Sequence, residues 1–479
     1  MSKKYDANLI VIGAGSGGLV TAYIAAAIKA KVILIEKGEM GGDCLNTGCV
    51  PSKSLIASAK LVHEIKHSEK LGIRQAECDF DFADIMNRIQ EVIDSIRPHD
   101  SVERYTSLGV DVVTGVATIT SPNTVEVEGK VYSARSIVIA AGAEPFVPPI
   151  PGIEEANCYT SDTIWSLREL PKNLVVLGGG PIGCELAQCF TRFGSNVSLV
   201  EMADQIMIRE DSEFSDFVVN RFASEGMRVL TSHRAESVRV ENGKNILTCR
   251  HGDNTVDLEC DAILVALGRK ARTSGFGLEN LNVPLAPQGT IETNDFLQAG
   301  YPNVYAVGDV TGPYQFTHAA AHQAWYGCIN ALFSPFKKFR VDYSVLPWAT
   351  YTDPEVARVG LNEKDAIEKG IAYEVTTYSL AELDRAKAEA HAEGLVKVLT
   401  VPGKDKILGV TIMGRHAGDL IAEFVLAMRH GLGLNKILGT IHAYPTWMEA
   451  NKFAAGNWKK AHAPKWALDL LEKFHRWRR

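Results

Sequence analysis

Two stretches of the chain share one order of hydrophobic run, glycine cluster and helical periodicity. In "ANLIVIGAGSGGLVTAYIAA" the apolar run ends at Gly13, Gly15 and Gly18 and passes into small and apolar positions at helical spacing. A second apolar run, "KVILIE", then closes on Glu36. In "NLVVLGGGPIGCELAQCF" the glycines are Gly178, Gly180 and Gly183, and "NVSLVE" closes on Glu201. Each stretch predicts a strand, a glycine turn, a helix, a strand and an acidic residue about 20 positions on. Other apolar runs end on small residues. "ARSIVIAAGAEPFVPPIPG" (134–152) predicts a buried strand that stops near Gly142 and enters a proline-rich domain crossing. "CDAILVALGRK" (260–270) repeats the strand-then-glycine ending at Gly268, and "NVYAVGDVTG" (303–312) stops at Gly308-Asp309. Helical periodicity returns in "HAAAHQAWYGCINALF". After about residue 345 strands and helices alternate with no nucleotide signature, which reads as a separate α+β domain.

The glycine turns carry chemistry. Without side chains there, backbone amides approach a pyrophosphate, the helix packs close to the sheet, and its N-terminus turns positive dipole toward the phosphates. The acidic residue accepts hydrogen bonds from ribose hydroxyls. Two complete units in one chain predict two nucleotides.

Composition narrows the class. The 479 residues suffice for about three domains, and 46 % hydrophobic with 22 % charged residues is ordinary for a globular protein. A net charge of −7 gives no basic footprint for nucleic acid. The apolar N-terminal stretch is interrupted by glycines and by Lys29 and Lys31, unlike a signal peptide, and no apolar run is long enough for a membrane span. A soluble cytoplasmic protein is expected.

Nine cysteines, seven of them scattered singly, do not form a secreted disulfide framework. The remaining two lie five positions apart in "GGDCLNTGCVPSK" (41–53), where Gly42 opens the bend. A structural disulfide closing so short a loop gains little. A metal clamp would need further thiols, and the next is Cys78. Position favours a pair that cycles. Pro51 suits the first turn of a helix, so Cys49 meets a helix N-terminus with Lys53 close by, an environment that lowers a thiol pKa. Asn46 and Gly48 are expected to allow the bend of a reducible bridge.

Together these residues resemble the pyridine nucleotide-disulfide oxidoreductases, on the dihydrolipoamide dehydrogenase and mercuric reductase branch, from Leu9 to about Pro464. The resemblance implies an α/β chain with two Rossmann-type domains and a C-terminal α+β domain that makes a homodimer. It implies an FAD domain at 1–150 and 270–343, an NAD domain at 151–269 and a dimerisation domain at 344–479. FAD falls to Gly13, Gly15, Gly18, Glu36, Gly42, Lys53 and Gly142, with Asp309 on the ribityl chain; the nicotinamide nucleotide falls to Gly178, Gly180, Gly183, Glu201 and Gly268. Cys49 would face the flavin and Cys44 exchange with substrate in a redox disulfide, while Lys53 and Glu185 would pair beside the flavin ring. No resident metal is implied. The expected activity is transfer of electrons from NADH, with NADPH less suited, to a disulfide, metal-ion or quinone acceptor. Dihydrolipoamide dehydrogenase acting on a lipoyl partner protein is the alternative, and a non-enzymatic flavin redox sensor is the alternative of another class.

Two features depart from the pattern. Where the family carries a His-Pro-Thr-x-x-Glu stretch, this chain reads "IHAYPTWMEA", with Tyr444 at the histidine position, Glu449 at the glutamate position and His442 two residues earlier. Tyrosine titrates near 10 and histidine near 6.5, so Tyr444 makes a poor base. No cysteine follows Cys328, so the C-terminal thiol pair of mercuric reductase is missing. The tail "KWALDLLEKFHRWRR" could dock on a membrane or a partner, but the expectation is a terminal helix packed on its own domain with a solvated basic end.

Overall fold

A computed structural model describes residues 5–479. Its first sheet is built on the apolar runs read above. Ala7–Ile12 lies at the centre and pairs in parallel with Val32–Glu36 on one side and Lys130–Ile139 on the other. Val110–Thr114 extends one edge and Val304–Ala306 the other, both in parallel. The long strand Lys130–Ile139 also turns its first half into an antiparallel meander with Thr124–Val127 and Thr118–Ser121. Ile10, Val11, Ile137 and Val138 have no exposed surface. Strands covered on both faces need continuous apolar runs rather than alternation, which is the pattern these segments show.

The second sheet repeats the plan. Asn173–Leu177 pairs in parallel with Asn196–Val200 and Ala262–Val265, with Arg228–Leu230 and Cys158–Thr160 at the edges. An antiparallel meander, Arg234–Glu241, Lys244–His251 and Asn254–Cys260, packs beside it. The third sheet is antiparallel, ordered Pro347–Thr350, Glu355–Gly360, Ile407–Gly414, Leu395–Thr400 and Glu374–Ser379. Helices Ala417–Arg429 and Glu449–Ala461 bury Phe424 and Trp458 in its core.

Three buried cations tie the second unit to this last domain. Lys397, 2 % exposed, reaches Asp211 at 3.1 Å, Glu213 at 2.9 Å and Glu363. Arg192 lies 2.7 Å from Glu225 and 2.9 Å from Asp353. Arg358 lies 3.2 Å from Glu210 and 2.8 Å from Asp365, stacked on the Trp348 ring.

One expectation fails. The tail forms a helix, Lys465–Arg478, but it buries no residue, and Trp466 and Trp477 are 72 and 81 % exposed. Periodicity marks the apolar face of a helix without saying what covers it, and among the described residues none buries it. Among the described residues no helix is long and apolar enough to cross a membrane.

Candidate active site

Both glycine turns are built for a phosphate. In the first, a Cβ at Gly18 would run into the Gly13 carbonyl, and in the second one at Gly183 would run into the Gly178 carbonyl. Strand and helix therefore meet more closely than any side chain permits, while Gly180 at the mouth has open space around it. Helices Ser16–Ala27 and Pro181–Phe193 start there and present unpaired amides. The acidic residues act alike. Glu36 accepts from the backbone N–H of Ala14 (2.6 Å) and Gly38 (2.8 Å), and Glu201 from Gly179 (2.6 Å) and Ala203 (2.7 Å). Each carboxylate thereby fixes its loop at the place where a ribose would lie.

One cavity of about 1260 Å³ runs from Gly13, Gly15 and Glu36 past Cys44, Cys49 and Lys53 to Gly180 and Glu185. Gly42, Gly142, Gly268 and Asp309 also line it, whereas Gly18, Gly178, Gly183 and Glu201 do not. Burial pushes the Asp309 carboxyl up to about 6, with Arg269 opposing the shift. A half-buried carboxyl lining a cavity between glycine turns suits the hydroxyls of a sugar-alcohol chain, so the cradle fits FAD.

The cysteine pair sits at the middle of this cavity. The bend before Cys44 takes its left-handed backbone from Gly41 and Gly42, at φ +94° and +58°. Asn46 and Gly48 serve differently from expectation. Asn46 donates from its side-chain amide to the Met40 and Gly42 carbonyls, both at 3.0 Å. Gly48 is needed for space, because a Cβ there would stand 2.8 Å from the Asp43 carbonyl oxygen. Cys49 opens helix Cys49–Lys66, with Cys44 within hydrogen-bond reach when the pair is reduced. The hydrogen bond from Cys44, aided by Thr317 and by the charge of Lys53, brings the Cys49 thiol down to about 6 against the cost of burial. The same hydrogen bond, with burial, drives Cys44 strongly upward. One sulfur is thus the anion and its neighbour keeps the proton.

Lys53 Nζ lies 2.8 Å from Glu185 Oε2, joining the cysteine-bearing helix to the first helix of the second unit. Burial opposes the ammonium charge, but the attraction and hydrogen bond of Glu185 outweigh it and hold the Lys53 pKa above its ordinary value. Glu185 Oε1 accepts from the backbone N–H of Tyr351 (2.9 Å), whose ring lies 4.5 Å below Lys53 Nζ. Sequence reading missed Tyr351, and it missed Thr317, whose hydroxyl is 3.3 Å from Cys49 Sγ. It also missed Arg269, which pairs with Asp43 in the redox loop. None carries a local signal, since each acts across more than 160 positions of chain.

Within one chain Tyr444, Glu449 and His442 do not line this cavity. Tyr444 is 70 % exposed and donates to Asp384 at 3.2 Å. That hydrogen bond to Asp384, with the Asp384 charge and a smaller push from Glu449, raises the phenol further above its ordinary value. Glu449 is buried and accepts from the Thr446 backbone N–H at 3.2 Å. His442 is spoken for, with Nδ1 3.0 Å from the Thr440 carbonyl and Nε2 2.9 Å from Glu423.

Comparison with known proteins gives a consistent picture. The family description "Pyridine nucleotide-disulphide oxidoreductase" matches residues 7–324, and its dimerisation domain matches 346–455. A dihydrolipoyl dehydrogenase of Chlamydia muridarum is 35 % identical over 455 residues, covering 94 % of this chain and 96 % of that protein. A mercuric reductase of Lysinibacillus sphaericus is 33 % identical over 453 residues, covering 94 % and 82 %. The Cu(II) complex of the HOCl-induced flavoprotein disulfide reductase RclA from Escherichia coli superposes with a TM-score of 0.84 at 26 % identity. That likeness covers 95 % of this chain and 99 % of RclA.

Proposed function

The chain belongs to the pyridine nucleotide-disulphide oxidoreductase family, and from that premise we propose that it passes electrons from NADH to acceptors needing no histidine base, metal ions and quinones ahead of lipoamide. As a member of that family it is an FAD-dependent, NAD(P)H-oxidising enzyme rather than a non-catalytic flavin sensor. We assign FAD to residues 1–150 and 270–343, the nicotinamide nucleotide to 151–269 and the subunit interface to 344–479, in a cytoplasmic homodimer.

FAD, held by the first glycine turn, Glu36 and Asp309, would supply hydride acceptance from NADH and delivery of two electrons to the sulfurs. The Cys44–Cys49 disulfide breaks, takes two electrons and one proton, and ends as the Cys44 thiol and the Cys49 thiolate. The low pKa of Cys49 and the high pKa of Cys44 support that division. Lys53 and Glu185 hold charge beside the anionic sulfur and move no proton. Cys44 then hands the electrons to the acceptor.

The acceptor preference rests on Tyr444. Exchange with lipoamide requires a group that takes and returns a proton near neutral pH, a contribution of about 100- to 10,000-fold. A tyrosine whose pKa is raised by Asp384 supplies none, and His442 is engaged by Glu423. Assay of NADH oxidation against lipoamide, glutathione disulfide, mercuric and cupric ions and quinones tests this. Lipoamide should be turned over slowly, and Tyr444→His should raise it while leaving quinone reduction largely unchanged. Lipoamide turnover in the hundreds per second by the unaltered enzyme would instead support the dihydrolipoamide dehydrogenase reading that the Chlamydia relative's name suggests.

Nucleotide choice follows from Glu201. A carboxylate at the ribose position repels a 2′-phosphate, and its loop runs "EMADQ" with no arginine. NADH is expected over NADPH by at least about tenfold in kcat/KM, roughly 1.4 kcal/mol; comparable values would count against it.

A further inference from the structure

The helix Lys465–Arg478 leaves a run of large apolar side chains exposed. Trp466, Leu470, Phe474 and Trp477 recur at intervals of four, four and three, so they share one face, with Leu471 at its edge. All five are exposed, and the helix buries no residue. A helix of this length is marginal in water on its own, so it needs a surface to lie on.

We propose that this surface is an anionic lipid bilayer, on which the helix lies flat and tethers the enzyme peripherally. The polar side of the segment argues for it. Between 465 and 479 five basic residues, Lys465, Lys473, Arg476, Arg478 and Arg479, stand against Asp469 and Glu472, in a chain whose net charge is −7. The guanidinium of Arg478 sits over the Phe474 ring at 5.6 Å, an arrangement that lets the ring enter the acyl boundary while the cation stays among headgroups. Tryptophan at both ends suits the headgroup level. A second copy of the chain is the competing occupant, but the family's dimerisation domain matches only to residue 455, ten positions before the helix begins. The helix therefore lies beyond the stretch that the family's dimerisation domain matches.

The test is flotation of the FAD-loaded, full-length enzyme with vesicles of phosphatidylcholine alone or with about a quarter phosphatidylglycerol. Each basic residue brought to an anionic surface is worth roughly fivefold in partition, so enrichment on the anionic vesicles should be at least about tenfold and should fall with salt. L470E/F474E should reduce it to the level of neutral vesicles while leaving NADH oxidation with a soluble acceptor and the dimer intact. K473Q/R476Q/R478Q/R479Q, which leaves the apolar face in place, should lose most of the anionic preference. Equal partition to both vesicles, or full retention by L470E/F474E, overturns the proposal. So does dissociation of the dimer by L470E/F474E, which would assign the helix to a second copy.

Discussion

The two cysteines differ by environment rather than by chemistry. Cys49 receives a hydrogen bond from Cys44, another from Thr317 and the positive end of a helix, and its thiol falls to about 6. Alkylation by iodoacetamide follows the thiolate. In the reduced protein freed of FAD, which would otherwise cover Cys49, the rate at Cys49 should therefore be low below pH 5, half-maximal near 6 and flat above 7, whereas Cys44 should react far more slowly across that range. Peptide mapping of the modified sulfurs checks this, and Thr317→Val should shift the Cys49 profile toward higher pH. At this scale the pair, Lys53 and Glu185 were legible, because each stands in or beside a motif of fixed local spacing. Thr317, Tyr351 and Asp384 were not. Their partners lie far along the chain, and a threonine heading an alanine-rich helix looks like an ordinary start of a helix.

At the scale of elements, the segments with continuous apolar runs form the strands expected of them, and the glycines stop them where the cavity begins. The ionic ties between the second unit and the C-terminal domain left no such trace. Lys397 alternates with apolar neighbours in "LVKVLT" as a solvent-facing residue would, yet it is almost wholly buried among three carboxylates. Burial disfavours its charge, and the hydrogen bonds it donates to Glu213, Glu363 and Asp211 restore it, so its pKa stands well above the usual lysine range. Removing one partner of a buried ionic cluster strands the others and typically costs about 3 to 5 kcal/mol. Lys397→Met should accordingly shift urea unfolding of the holoenzyme to lower concentration. An unchanged midpoint would mean that the cluster contributes no net stability. The tail helix shows the opposite gap, since its pattern was readable and its surroundings were not.

At the scale of the whole molecule, the match of residues 346–455 to the family's dimerisation domain calls for a second copy. Cys44 and Cys49 line the cavity, while Tyr444 and Glu449 do not, and Ile441 beside them is 96 % exposed. An apolar side chain left bare next to a residue expected at the site points to a surface that another copy covers. A twofold dimer in which each subunit completes the other's site is the arrangement that fits. Sedimentation at assay concentration should show no active monomer, and Ile441→Asp should dissociate the dimer and abolish acceptor reduction together.

The ion pair between Lys53 and Glu185 has a consequence for motion. It bolts the cysteine-bearing helix to the first helix of the second unit, and Lys397, Arg192 and Arg358 bolt that unit to the C-terminal domain. The cavity between the glycine turns is therefore braced by the Lys53–Glu185 pair, which a clamshell opening would have to break. Solvent friction has little to act on in such a machine, so electrons should cross it at a rate indifferent to the viscosity of the medium.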